Sequence, residues 1–186
     1  MLGSALTLAE LTKSDGGMTP NSVTLTCHGL SIRQVRIIYC DFDGVLHPVS
    51  ALAVFEMRLP REAAVQQGRL FRWTYILEEL LTEHKDVKIV VHSSWRQLLP
   101  DQELRRYLGP LGDRYIGKTD NGDRWQSILN HVKTSNPGDW IVLDDHAGEF
   151  PTPQPLQLVL CDPESGVWDP VIREKITAWL QATAER

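Results

Sequence analysis

Asp41 and Asp43 stand two residues apart at the end of an apolar run, Arg36-Ile37-Ile38-Tyr39-Cys40, and Gly44 follows at once. An apolar run that ends in a glycine turn is a buried strand passing into a loop. In a parallel α/β sheet the carboxyl ends of the strands are where ligands bind. Two neighbouring acids repel each other and are costly to desolvate. A cation or a specific chemical task therefore explains the pair better than a turn with two solvated acids. A second pair, Asp144-Asp145, ends another apolar run, Trp140-Ile141-Val142-Leu143. Acids at a strand end suit an oxygen-ligated Mg²⁺, a hard cation that prefers carboxylate and water. The competing reading of Asp144-Asp145 is a helix-capping acid pair.

Such acids need strands and helices to hold them. Apolar runs predict strands over 35–40, 87–92, 140–143 and 156–160, with a shorter one at 114–116. Leu70, Trp73, Leu77, Leu80 and Leu81 recur at helical spacing, which predicts a helix over 70–83. Residues 100–108 read as helical, with Asp101 in the first turn. Asp123 reads as the N-cap of a helix carrying Trp125, Ile128, Leu129 and Val132. Asp169-Pro170 opens a last helix, with Val171, Ile172, Ile176, Trp179 and Leu180 on one face. Residues 47–69, interrupted by Pro48, Pro60 and Gly68, read as irregular. Strands alternating with helices imply an α/β fold, a doubly wound, mainly parallel, Rossmann-like sheet. Residues 1–34 lack a sustained period and contain the breaker cluster Ser14-Asp15-Gly16-Gly17. They are expected to form an N-terminal extension, mobile or adding a short strand at 23–27, ahead of one domain over 35–186.

The bulk numbers agree with a single domain. A chain of 186 residues, 42% hydrophobic and 23% charged, can bury a full core. The net charge of −5 lacks the strongly basic footprint of a dedicated nucleic-acid binder. Cys27, Cys40 and Cys161 are scattered and odd in number, as expected for reduced thiols and not for a disulfide framework or a zinc site. Cys40 is expected to be buried in its strand. No stretch approaches the about 20 apolar residues of a membrane span. The first ten residues lack a basic start and a long apolar core, so they make a poor secretory signal. A cytoplasmic protein with no membrane association and no obligate protein partner is the expectation.

The strand with Asp41-Phe42-Asp43-Gly44 and then Val45-Leu46 resembles the first motif of the haloacid dehalogenase (HAD) superfamily of phosphohydrolases. That resemblance extends along the chain, over about residues 36–180. Its second motif, a Ser or Thr ending the second strand, is met by Ser93 in Val90-Val91-His92-Ser93-Ser94, with Ser94 as the fallback. A hydroxyl and a backbone amide there would bond a phosphate oxygen without adding charge; the plain alternative is a serine pair capping the next helix. The third, a basic residue before the fourth strand, falls best on Arg124, with Lys118 as competitor. The fourth falls on Asp144 and Asp145. The Ser94-Trp95-Arg96 continuation resembles a small bacterial HAD subgroup, some of whose members are fused to RNA-repair modules. By this resemblance Asp41 would be the nucleophile that forms an aspartyl-phosphate, and Asp43 the general acid and base. Ser93, Ser94, Arg124 and Lys118 would be the candidate phosphate ligands. Asp41, Asp43, Asp144 and Asp145 would hold Mg²⁺. The gaps 46–70 and 95–118 are too short for a sizeable cap domain. An open site of this kind implies, by family analogy, a phosphorylated small molecule or a large substrate such as a nucleic-acid end.

Other readings compete. Gly112-Asp113-Arg114-Tyr115-Ile116-Gly117-Lys118-Thr119 spells a phosphate loop literally, yet it lacks an apolar strand before it and a helix directly after it. A non-catalytic HAD-like phosphate-binding or regulatory module is the second alternative. Trp95, Arg96, Arg105, Arg106, Arg114, Lys118 and Arg124 cluster in sequence and are candidates for a phosphate-rich groove, although the acids among them fit a mixed solvated surface equally well. His47 and His92 read as a loop and a strand-end histidine, and His146 as a neighbour of the acid pair.

Overall fold

The strands at the centre of the fold are short apolar runs, and each alternates its side chains between two helical layers. The computed structural model describes residues 35–182. The extension expected over 1–34, with its possible strand at 23–27, lies outside the described residues. Five strands form one all-parallel sheet: β1 (Arg36–Cys40), β2 (Val87–Val91), β3 (Tyr115–Lys118), β4 (Asp139–Asp144) and β5 (Leu158–Leu160), in the order β3-β2-β1-β4-β5. Six helices connect and cover them: α1 (Arg61–Gln67), α2 (Thr74–Leu81), α3 (Trp95–Leu98), α4 (Asp101–Tyr107), α5 (Arg124–Ser135) and α6 (Pro170–Ala182).

Period two divides the sheet. Ile38 and Cys40 of β1, Ile89 and Val91 of β2 and Leu143 of β4 point into the larger core layer. There they meet Ile76, Leu77 and Leu81 of α2, Leu104 of α4, and Ile172, Ile176 and Leu180 of α6. Full burial of a leucine such as Leu77 or Leu81 stabilises the fold by about 2 kcal/mol. Ile37, Tyr39, Val90 and Val142 point the other way, onto Ile128 of α5 and Phe150. The expected doubly wound α/β sheet is what forms. No domain is inserted after β1 or between β2 and β3. The first interval holds only a 3₁₀ segment (Val49–Met57) and α1, and the second only α3, α4 and a 3₁₀ turn (Gly109–Arg114).

Several boundaries differ from the sequence expectation. The irregular stretch 47–69 contains the 3₁₀ segment and α1, whose Glu62-Ala63-Ala64-Val65-Gln66-Gln67 run is good helix material once Pro60 has set the entry. The helix expected over 70–83 begins only at Thr74, because Arg69 and Phe71 take left-handed backbone angles, φ 50° and 61°. The strand expected at 114–116 is shifted to Tyr115–Lys118, with Arg114 closing the 3₁₀ turn before it. Leu156 lies outside β5 and is fully exposed. Val171 is exposed, so the buried stripe of α6 is Ile172, Ile176 and Leu180. Both expected caps are made: Asp123 accepts the Gln126 N–H at 2.7 Å and Asp169 the Val171 N–H at 2.8 Å. Cys40 is buried, as expected. Among the described residues no helix is long and apolar enough to cross a membrane.

Candidate active site

Two adjacent strands, β1 and β4, bring the acids together, and β2 beside β1 adds Ser93. The Asp41 N–H donates to the Leu143 carbonyl at 3.0 Å and the His92 N–H to the Cys40 carbonyl at 3.2 Å. The carboxyl ends of β4, β1 and β2 are thereby stitched side by side, with Asp144 ending β4 and Asp41 and Ser93 following β1 and β2. Both Asp41 and Asp144 are buried. One nitrogen of Arg124, Nη1, donates to Asp41 Oδ2 and to Asp144 Oδ2, each at 2.6 Å. The remaining oxygens face backbone amides: Phe42 N–H donates to Asp41 Oδ1 at 2.7 Å and His146 N–H to Asp144 Oδ1 at 2.8 Å. Charge-assisted bonds of this length are among the stronger ones. Burial disfavours the Arg124 charge, but the two carboxylates outweigh it and hold its pKa above the ordinary value. Its Nε and Nη2 make no hydrogen bond among the described residues, which leaves two donors for an anion.

Asp145 completes the acidic group. Carboxylate oxygens of Asp41, Asp144 and Asp145 lie within 4.8 Å of one another. Gly44, at φ 67°, makes the turn above them, and a Cβ there would overlap the Asp145 carboxylate. The backbone angle and the close approach both call for glycine. Burial and the neighbouring Asp41 charge push the Asp144 carboxyl up to about 7, and the same causes raise Asp145. A crowded, all-oxygen, all-carboxylate donor set fits a hard divalent cation such as Mg²⁺, which would relieve this repulsion. His92 stands behind Asp144, its Nδ1 at 3.6 Å from Oδ2, and burial lowers its pKa to about 4, so the ring is neutral.

Asp43 takes a different environment. Its carboxylate is not in the acidic group. Trp95 Nε1–H donates to Oδ1 at 2.9 Å and reaches Oδ2 at 3.2 Å, while His47 Nε2 lies 3.0 Å from Oδ1. His47 Nδ1 accepts the Phe71 N–H at 3.3 Å, which leaves the proton of the neutral ring on Nε2, pointing at Asp43. His47 is wholly buried.

The remaining expected ligands separate. Ser93 is buried at the end of β2, its Oγ facing the Trp95 N–H at 3.4 Å, whereas Ser94 is exposed. Lys118 turns away from the acids: its Nζ donates to the Arg96 and Leu99 carbonyls at 3.1 and 2.9 Å and lies 3.3 Å from Asp101. Of the two basic candidates, only Arg124 touches the acids. The phosphate-loop pattern at 112–119 runs through a 3₁₀ turn and then strand β3, so it forms no phosphate cradle leading into a helix. Nor do the arginines of that stretch line a basic groove. Arg114 is buried against Glu78 and the Leu81 and His84 carbonyls, Arg105 holds the Gly112 carbonyl, and Arg106 pairs with Glu62. Arg96, also buried, bonds the His92 and Ser93 carbonyls and the Asp120 carbonyl, tying the loop after β2 to the loop that leads to α5.

A family model described as the HAD domain in Swiss Army Knife RNA repair proteins matches residues 37–172. The chain belongs to this family. A search of curated proteins and a search of solved structures each gave no significant match. HAD domains are generally hydrolases of the phosphatase type and typically use Mg²⁺, and this HAD domain carries an acidic cluster of three carboxylates. Residues that the sequence reading passed over are His47 and Trp95 as partners of Asp43. Nothing local to Asp43 signals them, because their contacts span separations of 4 and 52 residues.

Proposed function

We propose that this HAD domain is a Mg²⁺-dependent phosphomonoesterase that works through an aspartyl-phosphate on Asp41. The observation that carries this reading is the buried carboxylate of Asp41, 2.6 Å from Arg124 Nη1 and grouped with Asp144 and Asp145. Asp41, Asp144 and Asp145 would hold the cation; when bound it supplies positive charge that lets two anions approach. In the first step an Asp41 oxygen forms a bond to phosphorus while the bond from phosphorus to the leaving oxygen breaks. The leaving oxygen takes the proton of Asp43. In the second step water attacks phosphorus and gives a proton to Asp43. The bond between phosphorus and Asp41 breaks, which returns the carboxylate and releases inorganic phosphate. Arg124, through Nε and Nη2, and Ser93, through Oγ, steady the phosphoryl oxygens as charge shifts.

The substrate we propose is a phosphorylated RNA end. The family description places related domains in RNA repair, and the intervals after β1 and β2 hold no cap that would restrict access. The test is phosphate release from 4-nitrophenyl phosphate, nucleotides, and 3′- or 5′-phosphorylated oligoribonucleotides, with and without Mg²⁺. The expected result is metal-dependent turnover, best on an RNA end, that falls by about 10⁴-fold or more in Asp41→Asn. Turnover that survives in Asp41→Asn, or that ignores chelation, overturns the mechanism.

A further inference from the structure

Asp43 is held by neutral donors inside an aromatic box, and the box is built so that neither donor can turn. The Trp95 ring packs edge-on against Phe71 at 5.3 Å, Tyr107 at 5.8 Å, Phe55 at 6.1 Å and Phe42 at 6.2 Å between centroids. The indole N–H therefore has one direction, and Asp43 lies along it. The His47 ring packs on Phe71 at 5.0 Å and is pinned at its far nitrogen by the Phe71 N–H. Phe71 makes that bond from a left-handed backbone, φ 61°, a conformation that costs a bulky residue about 1–3 kcal/mol and persists only where its surroundings enforce it. Both donors converge on Asp43 Oδ1, at 2.9 and 3.0 Å, and the Trp95 N–H also reaches Oδ2 at the longer 3.2 Å. Oδ1, which accepts the two shorter bonds, is the poorer seat for a proton, so the proton falls to Oδ2, which has only the longer Trp95 contact.

We propose that Trp95 and His47 are positioning residues that clamp Asp43 through Oδ1, so that Oδ2 alone delivers the proton to the leaving oxygen. The clamp thereby tunes the enzyme to esters with basic, alkoxide-type leaving groups such as a ribose hydroxyl. This rests on the phosphatase reading above, with Asp43 as the acid. An aryl ester with a stable phenolate departs without a proton, whereas an alkyl ester needs one in the transition state. The clamp accordingly matters for the second and little for the first. Because kcat/KM reports only steps up to the first irreversible one, it isolates the protonation of the leaving group from the later attack by water.

The experiment measures kcat/KM for 4-nitrophenyl phosphate, phenyl phosphate and a nucleoside 3′-monophosphate. Wild type is compared with Trp95→Phe, His47→Leu, His47→Gln and the reference Asp43→Asn, all with Mg²⁺. General acid catalysis is worth about 10²–10⁴-fold, so losing its alignment should raise the aryl-to-nucleotide preference by about tenfold or more in Trp95→Phe and His47→Leu. The change should run in the same direction as in Asp43→Asn. His47→Gln, whose amide keeps an N–H near Asp43, should recover part of the ratio. Parallel losses on all three esters in an active enzyme would mean that the box only packs, and would overturn the clamp. A failure of the phosphatase reading looks different: it shows as turnover that Asp41→Asn retains. The indole proton gives a reading free of turnover. Its nuclear magnetic resonance signal should move, and its exchange with solvent should quicken, in Asp43→Ala; an unchanged Trp95 indole signal also overturns the clamp.

Discussion

The two carboxylates of Asp41-Phe42-Asp43 are the same chemical group two residues apart, and the fold gives them opposite surroundings. Asp41 sits among charges, with Arg124 against it and Asp144 and Asp145 close by. Asp43 sits among rings, and its partners are an indole and an imidazole. Strand β1 ends at Cys40, so Asp41 is still fixed by the sheet, through its N–H on the Leu143 carbonyl. By Asp43 the chain has entered the turn at Gly44, and the side chain reaches the aromatic layer that α3 and the segment before α2 provide. On the proposed mechanism, environment and not residue type would separate an electrostatic centre from a proton carrier, as in other reactions served by two carboxylates.

Arg124→Met breaks the charged half alone and should give the largest effect among the variants that leave Asp41 and Asp43 in place. It removes the donors for the phosphoryl oxygens and unpairs two buried carboxylates, so kcat/KM should fall by about 10²–10³-fold. The loss should be equal for aryl and alkyl esters, because the Asp43 clamp is untouched. A loss confined to alkyl esters would mean that the two halves are not separate. Gly44→Ala strikes the junction between them. Its Cβ would displace the Asp145 carboxylate, and its φ of 67° is strained for alanine. A rise of about tenfold in the Mg²⁺ concentration needed for half-saturation, with a stability loss of about 1–2 kcal/mol, is expected. Titration calorimetry and urea melts read the two separately; unaltered Mg²⁺ binding would remove Asp145 from the cation site.

The charged half should also govern the dependence of stability on pH. His92, held down to about 4 by burial, stays neutral in the folded protein while the unfolded chain takes up a proton below its ordinary value of 6.5. Its contribution is therefore lost as pH falls from about 6.5 towards 4. Asp144 runs the other way. Pushed up to about 7 by burial and by Asp41, it keeps a proton that the unfolded chain releases above 3.8, so its contribution declines as pH rises across that window. The two oppose each other, so urea stability in a chelator should change less between pH 4.5 and 6.5 than His92 alone would make it. Mg²⁺ binds the ionised carboxylates of the folded state, so its stabilisation grows with pH. In excess Mg²⁺ stability should rise over the same range by about 1 kcal/mol or more per pH unit. Equal slopes with and without Mg²⁺ would place the titrating carboxyl away from the cation.

How much of this was legible in the sequence depends on the range of the interactions involved. The strands, the Asp123 and Asp169 caps and the acids at the ends of β1 and β4 are local patterns, and local patterns survive folding. Arg124 was legible only as one member of a family series, because nothing near it in sequence marks it from Arg114, which the fold buries against Glu78 instead. The helix start at Thr74 was not legible, since the left-handed turn at Phe71 goes with a hydrogen bond to His47. The Asp43 clamp is a tertiary contact from end to end: Trp95 stood out only within the Ser94-Trp95-Arg96 resemblance and as a groove candidate, and His47 read as a loop residue.

Lys118 gives the finest test of the division, because a sequence pattern and a fold assign it different tasks. The phosphate-loop pattern would make it the main contact to a nucleotide. In the fold its ammonium bonds two carbonyls at the Arg96–Leu99 turn and lies 3.3 Å from Asp101, so it secures α3 and the start of α4 and meets neither half of the site. Lys118→Ala should lower kcat/KM by less than about threefold on every ester, and should cost no more than about 1–2 kcal/mol of stability for two partly buried charge-assisted bonds. Unlike Arg124→Met it should leave Mg²⁺-dependent turnover in place, and unlike Trp95→Phe it should not change the ranking of leaving groups. A loss of activity as large as that of Arg124→Met would put a second basic side chain at the phosphoryl group and end the argument that Arg124 is the basic side chain there.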